Sequence, residues 1–355
     1  MLMKECIELA KLGTGSVSPN PLVGAIVLDK NNNIISKGYH EQYGKNHAER
    51  NALINLSNDI TAGGTLIVNL EPCCHYGKTP PCTDLIIEKG IKKVIIGMRD
   101  VNPVVAGIGI NKLKSAGIVV IDGVLENNCK KLNEIFIKNM TKHKTFIAIK
   151  TATTLDGKIA AYNGSSKWIT SENARNEVKN IRKKYDAILT SSTTVIADNP
   201  TMMHKNKIIL DRELKTDFKN AEIYKTGNCY VFYDKNLPSD KSESILNIIK
   251  SSGNIKLLPT YTNSNRIDLD AVLLKLYELG IMSVLVESGG RLNGSFLKYT
   301  DKIYQFIAPK ILGDNSGLSC YNFRTASLIN EADNFIIDSI DNYSPDILLT
   351  LYPEK

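Results

Sequence analysis

Only one of the 355 residues is tryptophan, and aromatic residues make up 7% of the chain. A nucleic-acid surface needs basic residues interleaved with aromatic ones. No basic run here is dense enough to demand such a partner. No apolar run approaches the roughly 18 residues of a membrane span. The opening Met1-Leu-Met-Lys-Glu-Cys carries an acid early and no long apolar stretch, so it is expected to start a helix and not a leader peptide. Seven cysteines, an odd number with three in one Pro-rich stretch, argue against a disulfide framework and for metal chemistry in a reducing compartment, which implies the cytoplasm. The dinucleotide fingerprint G-x-G-x-x-G is also missing, because Gly107-Ile108-Gly109 has no third glycine.

What is present is ordinary globular composition, 43% hydrophobic and 23% charged, enough for a packed core. The length suggests two or three domains. Net charge is +7, which suits a lysine-rich surface or attraction of anionic ligands such as phosphates. Apolar runs at 22–29 and 34–39 flank an Asn-rich spacer and read as a hairpin. Residues 65–70, 93–98 and 118–121 read as strands. Helical spacing fits 47–56, 82–89, 108–116 and a closing helix at 126–140. Strands alternating with helices imply a layered α/β fold with parallel pairing. The polar break Lys142-His143-Lys144 is the expected boundary, giving domains 1–144 and 145–355. Beyond it, strands are expected at 145–150, 187–190, 207–210, 229–233, 283–287 and 303–308, with helices at 171–185 and 269–279, a second α/β domain.

The chemistry concentrates in His47-Ala48-Glu49 and Pro72-Cys73 … Pro80-Pro81-Cys82. One imidazole and two thiolates can hold zinc with a fourth position open for water, the arrangement of a catalytic site. His47 and Cys82 each open a helix, and the positive helix end favours the Cys82 thiolate. Glu49 lies two positions from His47, not the four of a zinc-protease helix, and is left to act as acid and base. Hydrolytic deamination of an amino-pyrimidine or purine needs this set. A closed structural site with Cys74 or His75 as fourth ligand is the competing arrangement. Cys6, Cys129, Cys229 and Cys320 read as small core residues.

Common nucleoside deaminases separate their two cysteines by two residues; here eight intervene, in Glu71-Pro-Cys-Cys-His-Tyr-Gly-Lys-Thr-Pro-Pro-Cys82. With Pro19-Asn20-Pro21-Leu22-Val23-Gly24, Gly38-Tyr39-His40, Met98-Arg99-Asp100 and Val105-Ala106-Gly107, the first half resembles the deaminase half of the bifunctional deaminase/reductase family of riboflavin biosynthesis. The resemblance implies a cytidine-deaminase-like α/β/α layered domain holding one zinc per chain, and substrate contacts at Asn20, His40, His75, Lys78 and Asn102.

The second half extends it through Lys150-Thr-Ala-Thr-Thr-Leu-Asp-Gly157, Ser165-Ser-Lys-Trp-Ile-Thr-Ser171 and Thr194-Val-Ile-Ala-Asp-Asn-Pro200, so that about residues 1–330 are covered. Glu287-Ser-Gly-Gly-Arg-Leu-Asn-Gly294 follows a strand and precedes Ser295-Phe-Leu297, a strand–turn–helix arrangement suited to anions. The resemblance implies a dihydrofolate-reductase-like α/β domain that binds NADPH. Cofactor contacts are expected at Ala152, Trp168, Thr194, Asp198, Gly289, Gly290, Arg291, Leu292, Asn293, Gly294 and Ser295. Substrate is expected at Lys150, Ser166, Arg182, Met202, Lys205 and Glu287, with Arg182 and Lys205 neutralising a phosphate and Glu287 binding ribose hydroxyls. Where the family has Leu-Thr-x-Arg, this chain has Met202-Met203-His204-Lys205, which keeps the charge and loses the bidentate fork. Val101 stands in place of proline and Cys74 in place of serine. The reaction so implied is zinc-dependent deamination of a diamino-pyrimidinone ribosylamine phosphate, then NADPH reduction of the ribosyl to a ribityl chain, in a homo-oligomer. The alternative is a nucleic-acid base deaminase with an RNA-binding C-terminal domain.

Overall fold

A computed structural model describes residues 1–76, 80–103, 105–250, 253–313, 315–322 and 326–354. The chain divides into two compact units, Met1–His143 and Lys144–Lys355. No described helix is long and apolar enough to cross a membrane.

The first unit runs α1 (Leu2–Lys11), β1 (Gly24–Leu28), β2 (Ile34–Tyr39), α2 (Ala48–Leu53), α3 (Asn58–Thr61), β3 (Thr65–Leu70), α4 (Cys82–Glu88), β4 (Lys93–Met98), α5 (Ile108–Ser115), β5 (Val119–Ile121), α6 (Glu126–Leu132) and α7 (Glu134–Lys142). Its sheet has the order β2-β1-β3-β4-β5. The β1–β2 hairpin is antiparallel, and β3, β4 and β5 are parallel. Every residue of β1 and β3 is buried, as it must be when helices cover both faces. Packing of α1 against α6, and of α2 against α4 and α4 against α5, supplies the two helical layers.

The single closing helix expected at 126–140 is instead two. Asn133 breaks it: its side chain accepts from the Leu22 amide at 2.8 Å and donates to the Leu22 carbonyl at 3.0 Å. A long-range polar bridge here outweighs helical spacing.

The second unit contains β6 (Phe146–Thr154), β7 (Lys158–Ala160), α8 (Glu172–Lys183), β8 (Ala187–Ser191), α9 (Ser192–Asp198), β9 (Asn206–Leu210), β10 (Asn228–Asp234), α10 (Ser239–Ile249), β11 (Ile255–Thr260), β12 (Thr262–Asn263), β13 (Arg266–Ile267), α11 (Leu269–Glu278), β14 (Ser283–Val286), α12 (Gly290–Phe296), β15 (Lys302–Ala308), β16 (Leu318–Ser319), β17 (Phe335–Tyr343) and β18 (Asp346–Pro353). Nine strands form one sheet, β11-β10-β9-β8-β14-β6-β15-β18-β17. It is parallel from β11 to β15 and ends in the antiparallel β18 and β17. That terminal hairpin was not anticipated. The expected Gly-rich turn before Ser295 is also shorter, since α12 already begins at Gly290. A Cβ at Gly290 would lie 2.0 Å from the Ser319 carbonyl oxygen, so only glycine lets the helix start so close to β16.

Candidate functional sites

The parallel sheet of the first unit delivers its chemistry at strand ends. His47 caps α2, Cys73 follows β3, and Cys82 is the first residue of α4 behind Pro81. The ligand atoms of His47, Cys73 and Cys82 all lie within 4.8 Å of one another, a group that among the described residues includes neither Cys74 nor His75. His47 Nδ1 stands 3.4 Å from Cys73 Sγ and 3.5 Å from Cys82 Sγ. Tetrahedral zinc, with bonds of about 2.3 Å to sulfur and 2.0–2.1 Å to nitrogen, would separate N and S by about 3.5 Å. The three donors therefore already have the spacing and the softness zinc requires.

The Cys73 thiol is pushed down by a hydrogen bond from the Cys82 thiol and further by His47, while Cys82 is pushed up by that same shared proton. The Cys82 backbone N–H also donates to Cys73 Sγ at 3.4 Å. Glu49, 3% exposed, sits in the first turn of α2. Burial, and then the Cys73 charge, push its carboxyl up to about 7.

These groups open into a cavity of about 280 Å³ lined by His47, Glu49 and Cys73 together with Asn20, His40, His75 and Asn102. Four of the five expected substrate contacts thus line one cavity; Lys78 lies outside the described residues. His40 is held by the Asn46 carbonyl at 2.9 Å and by Asn20 at 3.1 Å. Sequence reasoning missed Lys45, Asp100 and Phe136, which line the same cavity. Burial lifts the Asp100 carboxyl to about 6. It also missed Glu71, a buried carboxylate that accepts from the amides of Asp100, Gly107 and Ile110 and so ties the segment carrying Asn102 to the metal loop. Its place in Glu71-Pro72-Cys73 was the one available signal.

In the second unit Thr194, Glu287 and the 289–295 segment lie beyond the carboxyl ends of β8 and β14, adjacent parallel strands, where ligands of open α/β sheets bind; Lys150 and Ala152 lie within the neighbouring β6, and Lys205 directly precedes β9, at its amino end. Glu287 leaves β14 and meets Arg182 Nε at 2.6 Å and Lys150 Nζ at 3.1 Å. Burial alone would raise its carboxyl, but the Lys150 and Arg182 charges outweigh it and hold it down at about 2. Arg182 Nη2 also donates to Glu287 at 3.1 Å, so two of its nitrogens are engaged within the protein. Ser191, Thr194 and Ser288 form a triangle of hydroxyls 3.0–3.3 Å apart where α9 begins and β14 leads toward α12. A Cβ at Gly289, next to Ser288, would meet nothing within 4 Å, so the space beside these hydroxyls is open. Ser191 and Ser288 were not anticipated. Asn293 turns inward to the carbonyls of Ser288 and Cys320, and Met202 is buried against apolar neighbours. Trp168, Asp198, Lys205 and Arg291 are exposed, and Ala152, Ser166, Leu292 and Ser295 half-buried.

Comparison with known proteins follows this division. Residues 1–98 match the cytidine and deoxycytidylate deaminase zinc-binding region, and residues 145–349 match the RibD C-terminal domain. The riboflavin biosynthesis protein RibD of Actinobacillus pleuropneumoniae is 38% identical over 98% of this chain and 93% of its own. The chain belongs to the RibD family. The RibD of Bacillus amyloliquefaciens is likewise 38% identical, over 99% of this chain and 95% of its own. A crystal structure of the diaminohydroxyphosphoribosylaminopyrimidine deaminase/5-amino-6-(5-phosphoribosylamino)uracil reductase of Thermotoga maritima superposes with a TM-score of 0.86 at 38% identity, over 99% of this chain and 97% of that one. Acinetobacter baumannii RibD gives 0.85 at 32% identity, over 99% and 98%. The protein is therefore a bifunctional deaminase and reductase of riboflavin biosynthesis, with a zinc-binding deaminase domain and an NADPH-using reductase domain. The expected α/β class holds in both halves, and the nucleic-acid deaminase alternative is not favoured.

Proposed function

We propose that residues 1–144 deaminate a 2,5-diamino-6-(phosphoribosylamino)pyrimidin-4-one and that residues 145–355 reduce the ribosyl group of the product. The observation that carries the first half is the His47–Cys73–Cys82 cluster opening into the cavity that Glu49 faces. His47, Cys73 and Cys82 would hold the metal. Zinc, when bound, activates a water at neutral pH. Glu49, outside the ligand group, takes one proton from the attacking water and gives it to the ring nitrogen, then carries a second, from the new hydroxyl, to the departing amine, which leaves as ammonia. Asn20, His40, His75, Lys78 and Asn102 orient the pyrimidine and its phosphoribosyl tail.

In the reductase, NADPH supplies the hydride. Thr194, with Ser191 and Ser288 beside it, and the 289–295 segment would receive its phosphates, with Ala152, Trp168 and Asp198 as further contacts. Glu287 meets ribose hydroxyls, and the adjoining Lys150 ammonium orients them. With Arg182 holding Glu287, Lys205 is the main phosphate partner and Arg182 contributes through Nη1; Ser166 and Met202 complete the wall. The chain works in the cytoplasm, where its seven free thiols stay reduced. It binds no nucleic acid. It forms a homo-oligomer, for which the exposed Ile336, Ile337 and Ile340 on edge strand β17 offer a surface.

One assay tests both halves: the purified protein with the phosphoribosyl diamino-pyrimidinone, with and without NADPH. Ammonia released without NADPH, followed by NADPH oxidation on the deaminated product, is expected. No ammonia overturns the deaminase assignment; ammonia with no NADPH oxidation overturns the reductase assignment.

A further inference from the structure

Trp168 is 63% exposed, an unusual place for the chain's one tryptophan. Yet its surroundings do not leave it loose. The Arg175 guanidinium lies 4.5 Å from the ring centroid, over one face. The same guanidinium donates from Nη1 to the Thr170 carbonyl at 2.7 Å. Lys310 Nζ donates to the Trp168 carbonyl at 2.8 Å. Three residues on, the Ser171 amide donates to the buried Asp346 carboxylate at 2.6 Å, and the Ser171 hydroxyl caps α8. Residues from α8, from the segment after β15 and from β18 thus hold the four-residue stretch 168–171. Arg175 sits in the first turn of α8, so its position is set by the capped helix and not by the indole.

A large aromatic ring kept in water by polar clamps loses the benefit of burial. A guanidinium on one face leaves the other face for a planar ligand, and stacking on a fixed ring avoids the entropy of ordering it at binding. We propose that Arg175 is a positioning residue of the reductase. It holds the Trp168 indole as a rigid platform on which a planar ring of NADPH stacks. This rests on the reading of Trp168 as a cofactor contact. Arg175 acts through Trp168 and touches no reacting atom.

The single tryptophan makes the test direct. In the wild-type full-length protein, NADPH should quench Trp168 emission in a saturable way. Loss of that quenching in the wild type overturns the cofactor reading and the platform with it. In Arg175→Ala, acrylamide should reach the indole more readily without any cofactor, the dissociation constant for NADPH from quenching should rise about 3- to 10-fold, and KM for NADPH should rise with it while kcat stays within about twofold. Arg175→Lys, which keeps a cation and loses the planar stack, should fall between the two. An alanine variant with wild-type acrylamide access and wild-type NADPH affinity overturns the role of Arg175 and leaves the cofactor reading intact. Equal losses in both variants of kcat, NADPH affinity and near-ultraviolet dichroism would mark Arg175 as a packing residue and also overturn it.

Discussion

The deaminase centre occupies 36 sequence positions, from His47 to Cys82, and three side chains from it converge within 4.8 Å. In the second unit Lys150 meets Glu287, and Ser191 meets Ser288, only because β8, β14 and β6 are neighbours in one sheet. The first site is specified by scarce residue types whose donor atoms must match a metal radius. The second is built from hydroxyls, glycines, backbone ends and one buried ion-pair group, each common elsewhere in the chain. A metal centre is therefore readable from spacing. A cofactor cleft becomes readable only when topology gathers it.

The sharpest way to break this contrast is to delete a metal ligand. Cys82→Ser should lose zinc and ammonia release together, by about a thousandfold or more, while reduction of the deaminated substrate continues. Glu49→Gln should keep zinc, measured by metal analysis, and still lose about 10²- to 10⁴-fold in deamination. If Glu49→Gln retains turnover, Glu49 is not the proton carrier of the deaminase.

The reductase counterpart is Glu287→Gln. Removing the carboxylate leaves Lys150 and Arg182 facing a neutral amide in a buried place, a loss of about 3–5 kcal/mol. For a unit of this size that lowers its calorimetric transition by about 6–20 °C. The pH dependence carries a definite sign. With the carboxyl held at about 2 in the fold and near 4.3 in the unfolded chain, its contribution is complete above about pH 5 and is lost as pH falls toward 2. The gap between wild type and Glu287→Gln should shrink below pH 4; a constant gap from pH 7 to 3 would mean that packing, not charge, holds this site.

Much of the fold was legible because buried parallel strands are continuous apolar runs: β3 and β4 fall at the expected residues, 65–70 and 93–98. The His47–Cys73–Cys82 cluster was legible for the reason given above, and Glu49 lines the cavity beside it. What failed to show was long-range. Asn133 reads as a helix residue until Leu22 is placed beside it. Glu71 reads as part of a metal loop until the amides of residues 100–110 arrive at its carboxylate. Ser191 and Ser288 are 97 positions apart and became a pair through β8 and β14. The hairpin β17–β18 lay mostly beyond the stretch that any motif covered.

Two glycines test whether close backbone approach matters equally in both sites. A Cβ at Gly109 would lie 2.3 Å from the Pro72 carbonyl oxygen, next to Cys73; one at Gly290 would lie 2.0 Å from that of Ser319. Both are helical, where alanine alone would gain about 1 kcal/mol, but a backbone carbonyl cannot swing away. Each substitution should therefore destabilise, by about 1–3 kcal/mol. Gly109→Ala should weaken zinc retention against a chelator and spare reduction. Gly290→Ala should raise KM for NADPH and spare deamination. A variant that harms both activities equally would dissolve the distinction between the two sites.

The smallest expected effect falls on the bridge that the sequence concealed. Asn133→Ala removes the partner of the Leu22 amide, while the Leu22 carbonyl keeps its bond from Asn69 at 2.9 Å. Only one half-buried backbone group is orphaned, so the loss should sit near 1 kcal/mol, the lower end of the range for such groups. Its functional trace should be local. Leu22 lies between Pro21 and Val23, which line the deaminase cavity with Asn20. A shift there should raise KM for the pyrimidine severalfold and leave kcat, zinc content and the reductase unchanged. If kcat falls instead, the bridge steadies α2 and Glu49 and not merely the cavity wall, and the deaminase site extends further from its metal than the 36-residue stretch suggests.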